Sequence, residues 1–364
     1  MNPRRICAAG AMIVQVAACR ATAHVPLNAV RGRPTRSQTV DTLLLATASG
    51  IVSSSNLVSS IWPGYWPKGQ GFILARTRGD VLLVSESAPD SGFQRLDDRI
   101  LPRVLRGRAF AAHGVIPGLH ASSMDGGFNI RYPVAGTRVT AVSVKDSVRT
   151  TVEFLFHEAF HAFQDEHFAR GPEAVLERSG AAVRTTPVFA AMAEVERRIL
   201  AEALLADDSS SVSLLRSFLA VRATRLDSAG AVARAEELQM ERIEGTAQLV
   251  GVQASLAVTR ADRREADRLV REILTADLAE SDASWRTRLR VYGTGAALGL
   301  LLDRLGVPWR GELARGATFV DVLNSAFPLP AGSQELLAES ALARYGYREF
   351  LNKENAASRA TVPQ

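Results

Sequence analysis

The segment His157-Glu158-Ala159-Phe160-His161 sets the strongest condition on how this 364-residue chain folds. Two imidazoles four residues apart share one face only if the segment is helical, because four steps of about 100° nearly complete a turn. On such a helix both rings reach a single metal ion, and the Glu158 carboxylate stands beside the coordination position they leave open. The flanks agree with a buried amphipathic helix. Val152, Leu155, Phe156, Ala159, Phe160 and Phe163 recur at helical spacing and form an apolar face roughly opposite the His pair. Asp146 or Ser147 is placed to cap the first turn. The plain alternative is two core or solvated histidines on an ordinary helix, and a chain with 6 histidines offers few accidental matches to the pattern.

Composition frames that helix. With 47% hydrophobic and 22% charged residues the chain is globular and long enough for a large core or two subdomains. The net charge of +5 comes almost entirely from arginine, since Lys68, Lys145 and Lys353 are the only lysines. The arginines are scattered and form no basic stripe with interleaved aromatics, which argues against a nucleic-acid partner.

The start of the chain reads as an export signal. Residues 1–5 supply a short positive region, and residues 6–18 are apolar but too few to span a bilayer. Two endings fit. Val16-Ala17-Ala18-Cys19 looks like a lipobox, which would make Cys19 a lipid anchor to the membrane; Ala21-Thr22-Ala23 is a small-x-small cleavage site that would release a periplasmic or extracellular protein. Both cysteines, Cys7 and Cys19, fall within residues 1–23. The mature chain is therefore expected to have no disulfide and no thiolate ligand, so any zinc must be held by His and carboxylate.

Periodicity predicts an α+β, mostly helical protein. Residues 24–36 read as a linker, 37–146 as an α/β subdomain, 147–352 as a helical subdomain and 353–364 as a tail. A helix-like stretch over residues 38–61 is stopped by Trp62-Pro63-Gly64-Tyr65-Trp66-Pro67, and residues 71–75 and 80–84 suggest a hairpin. The Arg78-Gly79-Asp80 tripeptide there is read as turn chemistry. Residues 137–144 alternate as a strand and are expected at the edge of a small sheet, just before the HExxH helix, where an extended peptide could be added; an interior position is the alternative. Further helices are expected over 187–205, 212–226 and 232–259, and no later segment is long and apolar enough to cross a membrane.

Two histidines do not complete a catalytic zinc site; three protein ligands and an open position do. His167 stands where the pattern HExxHxxGxxH would place a third, but the glycine that lets the chain leave the helix is here Gln164, a good helix former. Met192 and Met240 both lie in helical patterns and offer no methionine turn. The segment Glu244-Gly245-Thr246-Ala247 on a downstream helix resembles the third-ligand segment of the gluzincin peptidases, in which HExxH is joined by a later Glu. The resemblance implies that His157, His161 and Glu244 bind Zn²⁺ and that Glu158 is the general base. It also implies that Tyr292, ahead of a run of small residues, donates to the oxyanion. It covers about residues 137–303, with a longer span between His161 and Glu244 than many gluzincins have.

Other readings of these residues stay open. Glu241, one turn earlier, is the next candidate as ligand or as a partner behind the ligands, and Glu237 lies on the same helix. Gly245 and Ala247 are read as letting this helix approach the zinc helix closely, and Asp165 as a hydrogen-bond partner for a ligand imidazole or as a surface acid. Glu244 could instead be an exposed carboxylate paired with Arg242 or Arg234. The function that follows is an exported zinc-dependent metallopeptidase acting on peptide or protein substrates. The alternatives are an exported lipoprotein that binds a partner around a degenerate or structural metal site, and a zinc hydrolase of non-peptide amides.

Overall fold

The computed structural model describes residues 41–66, 70–76, 79–89, 92–113, 127–130, 139–144, 147–169, 186–276 and 283–360. The expected signal segment with Cys19, the expected linker, Arg78 and Asp146 lie outside the described residues. The fold is α+β and mostly helical, a small sheet in the first part of the chain being followed by helices. Contacts divide it into two compact units, one running to Glu166 and taking in Val250–Asp262, the other comprising His167–Leu249 and Arg263–Gln364. The HExxH helix thus groups with the sheet.

In the first unit, helices α1 (Thr42–Ser53) and α2 (Ser55–Ser59) are followed by strands β1 (Phe72–Ala75), β2 (Asp80–Val84), β3 (Gln94–Arg95), β4 (Ala109–His113), β5 (Gly127–Ile130) and β6 (Val139–Ser143). β1 and β2 form the expected antiparallel hairpin, with Ile73 opposite Leu83. Asp41 ties α1 to this hairpin: its carboxylate accepts from Leu43 N at 2.7 Å and from Arg76 Nε at 2.7 Å. The Arg76 guanidinium holds the Asp41 carboxyl below the usual range.

The six strands lie in the order β3-β4-β2-β1-β6-β5. β6 is therefore an interior strand, parallel to β1 and antiparallel to β5, and β5 is the edge. The expectation of an edge strand before the HExxH helix is corrected by this pairing. Alternation along one strand carries no information about how many neighbours it has, and all five residues of β6 are buried, as in strands covered on both faces. Ile73, Ala75, Val81, Leu83, Phe110, Ala112, Val139 and Ala141 pack as one core on one face of the sheet.

Helix α3 (Val148–His167) follows β6 directly. Ser147 caps it, its hydroxyl accepting from Thr150 N at 3.1 Å. The predicted apolar face is buried from Val152 to Phe160. The Trp62–Trp66 segment does more than stop a helix. Trp66 packs on Phe156 (ring centroids 4.5 Å apart) and Phe72, Tyr65 on Phe160 (5.1 Å) and Phe163, and Trp62 on Phe160 (5.0 Å). Edge-on aromatic contacts of this kind are each worth about 0.5–1.5 kcal/mol beyond area burial. Trp66 adopts φ 55, a backbone conformation L residues avoid, which this packing must hold.

In the second unit, α4 (Pro187–Ala203) and α5 (Asp208–Asp227) are capped by Thr186 and Asp207, whose side chains accept from Phe189 N and Ser210 N. Helix α6 (Ala231–Met240) runs through a π-turn (Glu241–Gly245) into α7 (Thr246–Thr259) without a break, the part of α7 from Val250 onward grouping with the first unit. Beyond it come α8 (Arg263–Thr275), α9 (Ala283–Arg304), α10 (Arg310–Ala314), α11 (Phe319–Ala326), α12 (Gln334–Arg344) and α13 (Tyr347–Ala360). Among the described residues no helix is long and apolar enough to cross a membrane.

Six charges are buried together in this unit. Arg225 bonds Glu196 (2.5 Å) and Glu237 (2.6 Å), Arg222 bonds Glu196 (2.6 Å) and Glu241 (3.1 Å), and Arg290 stands 3.6 Å from Glu237. Three carboxylates and three guanidiniums balance to zero, as burial requires. Burial alone would push the Glu237 carboxyl up, but Arg225 and Arg290 outweigh it and hold it well below the usual range. Burial pushes Arg290 down to about 10, the Glu237 carboxylate offsetting part of that shift.

Candidate metal centre

The rotation of α3 about its own axis is set from behind. Tyr65 donates its hydroxyl to the carbonyl of Phe156 at 3.0 Å, and burial pushes that hydroxyl well above the ordinary tyrosine range, so it stays a donor. With the aromatic side held, His157, Glu158 and His161 take the opposite side. His157 is 4% exposed and Glu158 2%. The Nε2 atoms of His157 and His161 stand 3.1 Å apart. Two nitrogens each about 2.0–2.1 Å from a tetrahedral zinc lie about 3.3–3.4 Å from one another, so the pair suits a shared cation with little movement.

Gln164 completes the orientation of His161. Its Oε1 is 2.8 Å from His161 Nδ1, and an amide oxygen there is a proton acceptor. Nδ1 therefore carries the proton and Nε2 presents its lone pair toward His157. In the sequence, Gln164 reads as a helix former, and its place three residues after His161 is the signal for this second role. Asp165, considered for it, is exposed. His167 ends α3 and is exposed; six residues beyond His161 it is turned by about 240° from that ring.

Glu244, the third donor implied by the resemblance, lies near the two histidines. Ligand atoms of His157, His161 and Glu244 lie within 4.8 Å of one another, the one such group among the described residues. Glu244 lies inside the π-turn. The helix that carries it meets α3 at Gly251, seven residues further on and two turns along the same side. A Cβ on Gly251 would fall 2.6 Å from the carbonyl oxygen of Glu153 and 3.3 Å from Cβ of His157. The close approach expected of Gly245 is made here by Gly251. Gly245 faces α9 instead, where its Cβ would fall 2.5 Å from Cα of Gly295.

Glu241 is committed elsewhere. Its carboxylate accepts from Arg222 Nη1 and Nη2, both at 3.1 Å, and from the Thr294 hydroxyl at 2.5 Å. The arginines considered as partners of Glu244 have other contacts: Arg242 is buried and donates to Leu313 O (2.7 Å), Ala169 O (2.9 Å) and Gln239 Oε1 (3.0 Å), and Arg234 pairs with Asp227. Tyr292 is buried in the interior of α9, which begins at Ala283.

Two imidazoles and one carboxylate are a donor set suited to zinc in a hydrolytic site, with one position left for water or substrate. Comparison of the chain with protein-family models, with curated proteins and with solved structures finds no match in any of the three.

Proposed function

We propose that the chain is an exported zinc-dependent metallopeptidase of gluzincin type, with His157, His161 and Glu244 holding the metal and Glu158 as general base. The observation that carries this reading is the convergence of the two Nε2 atoms at 3.1 Å, with a carboxylate within reach of both. Zinc in that donor set supplies a Lewis acid for the scissile carbonyl and lowers the pKa of water toward about 7.

The rest of the chemistry belongs to the chain. Glu158, next to His157 on the same helix and almost fully buried, takes the proton of the attacking water and hands it to the leaving amine. Gln164 keeps the His161 proton on Nδ1, which leaves Nε2 for the metal. On the strength of the resemblance, Tyr292 is assigned the hydrogen bond to the developing oxyanion. The substrate class is a peptide or protein met outside the cytoplasm, and Cys19 is the proposed site of a lipid anchor.

The test is metal analysis of the protein from residue 24 onward, together with cleavage of a mixed peptide library. Wild type is expected to hold one zinc per chain and to cleave. Glu158→Gln is expected to keep the zinc and lose hydrolysis by about 10²–10⁴-fold, while His157→Ala and Glu244→Ala lose both. Equal turnover by Glu158→Gln and wild type would sink the assignment.

A further inference from the structure

Glu241 opens the π-turn that contains Glu244, and everything around it fixes that turn. Its fully buried carboxylate takes two N–H bonds from Arg222 and one O–H bond from Thr294, and Arg222 is itself anchored through Nε to Glu196 at 2.6 Å. At the other end of the turn, Gly245 and Gly295 meet so closely that a Cβ on Gly295 would fall 2.6 Å from Cα of Gly245 and 2.8 Å from the carbonyl oxygen of Glu241. Glu244 is the residue held between these two clamps.

The turn has a geometric purpose. In an unbroken α-helix each four-residue step drifts by about 40°. The wider π-turn takes up this drift, so Glu237, Glu241, Gly245 and Leu249 all meet α9, at Arg290, Thr294, Gly295 and Gly299 respectively. Such turns are rare within helices and concentrate at functional sites. Buried ion pairs add little to stability over well-packed apolar groups, so stability alone is a weak reason for placing one at this turn.

We propose that Arg222, Glu241 and Thr294 are positioning residues for Glu244: by pinning the π-turn through the Glu241 carboxylate they set the affinity of the metal centre. This inference rests on the zinc reading above. Its test is a zinc titration against a chromophoric chelator on the full chain, at a temperature where circular dichroism shows each variant folded. Thr294→Val, which keeps the shape and removes the hydroxyl, is expected to bind zinc about tenfold or more weakly. Thr294→Ser restores the hydroxyl and the affinity. Ile199→Val, a buried change in α4 of the same unit, lowers the thermal midpoint and leaves zinc affinity unchanged.

If Thr294→Val does not fold, Arg222→Lys carries the same expectation, because an ammonium keeps the charge but loses the two-pronged contact. Folded Thr294→Val (or Arg222→Lys in its place) with wild-type affinity overturns the inference, as does an equal loss in Ile199→Val. Wild-type protein that takes up no zinc overturns the zinc reading itself.

Discussion

The two helices that supply the proposed ligands are held by opposite means. In the first unit, the back of α3 is packed by Trp62, Tyr65 and Trp66 against Phe156, Phe160 and Phe163, and the Tyr65 hydroxyl donates to a backbone carbonyl there. In the second unit, the helix bearing Glu244 is held by six buried charges and by glycines that let backbones touch. Apolar packing tolerates small shifts and is indifferent to pH. A buried charge cluster fixes geometry through directional bonds and depends on every partner being present and ionised. The histidines, four residues apart on one helix, are spaced by that helix; Glu244 has no such local guarantee and is held by the stricter device.

The sharpest way to break this comparison is to damage each unit once. Phe160→Ala should cost about 3–5 kcal/mol, and Arg225→Met a similar 3–5 kcal/mol, because it strands Glu196 and Glu237. The two should part company in acid. The wild-type Glu237 carboxyl is held below its ordinary value, so its contribution is present above about pH 4.3 and is lost as pH falls through the folded value. The Arg225→Met penalty should therefore narrow between about pH 5 and about pH 2, while the Phe160→Ala penalty does not. Urea midpoints at the two pH values measure this, and equal narrowing for both variants would remove the distinction.

A smaller effect concerns the metal centre. Gln164→Ala frees the His161 ring to choose the other tautomer, and zinc affinity should fall about 10–100-fold, equivalent to about 1.4–2.8 kcal/mol. Chelator competition reads this directly, and unchanged affinity would remove Gln164 from the site.

The smallest expected effects are at the glycines. Gly251→Ala should cost about 1–3 kcal/mol, since its Cβ meets a backbone carbonyl, and it should weaken zinc because His157 must move. Gly299→Ala meets chiefly the end of the Leu249 side chain and should cost less, with no effect on zinc. Thermal midpoints with and without zinc separate the two, and a zinc effect at Gly299 would count against the assignment of Gly251 to the α3 contact.

How much of this was legible beforehand follows the same divide. The α3 helix, its cap at Ser147 and its apolar face are visible from a 3.6-residue period, and the hairpin of β1 and β2 from two apolar runs around a turn. The interior position of β6 was not, because a strand's second neighbour is chosen by a distant segment, here Gly127–Ile130. The aromatic run at Trp62–Trp66 was legible as a helix stop but not as the packing behind α3, some ninety residues on. Glu241 and Glu244 look alike in sequence, and which one faces a buried arginine depends on a π-turn that no periodicity announces.

By itself, then, the chain determined what is encoded within a few residues: the His157, Glu158 and His161 constellation, the helix that spaces it and the mostly helical class of the fold. Tertiary structure alone decided that Gly251 rather than Gly245 approaches α3, that Glu241 belongs to Arg222 and Thr294, and that Glu244 comes within reach of the two imidazoles. The physical reason is range. Helix periodicity is written by bonds four residues long, whereas ion pairs and glycine contacts between elements far apart in the chain exist only once the chain has closed on itself.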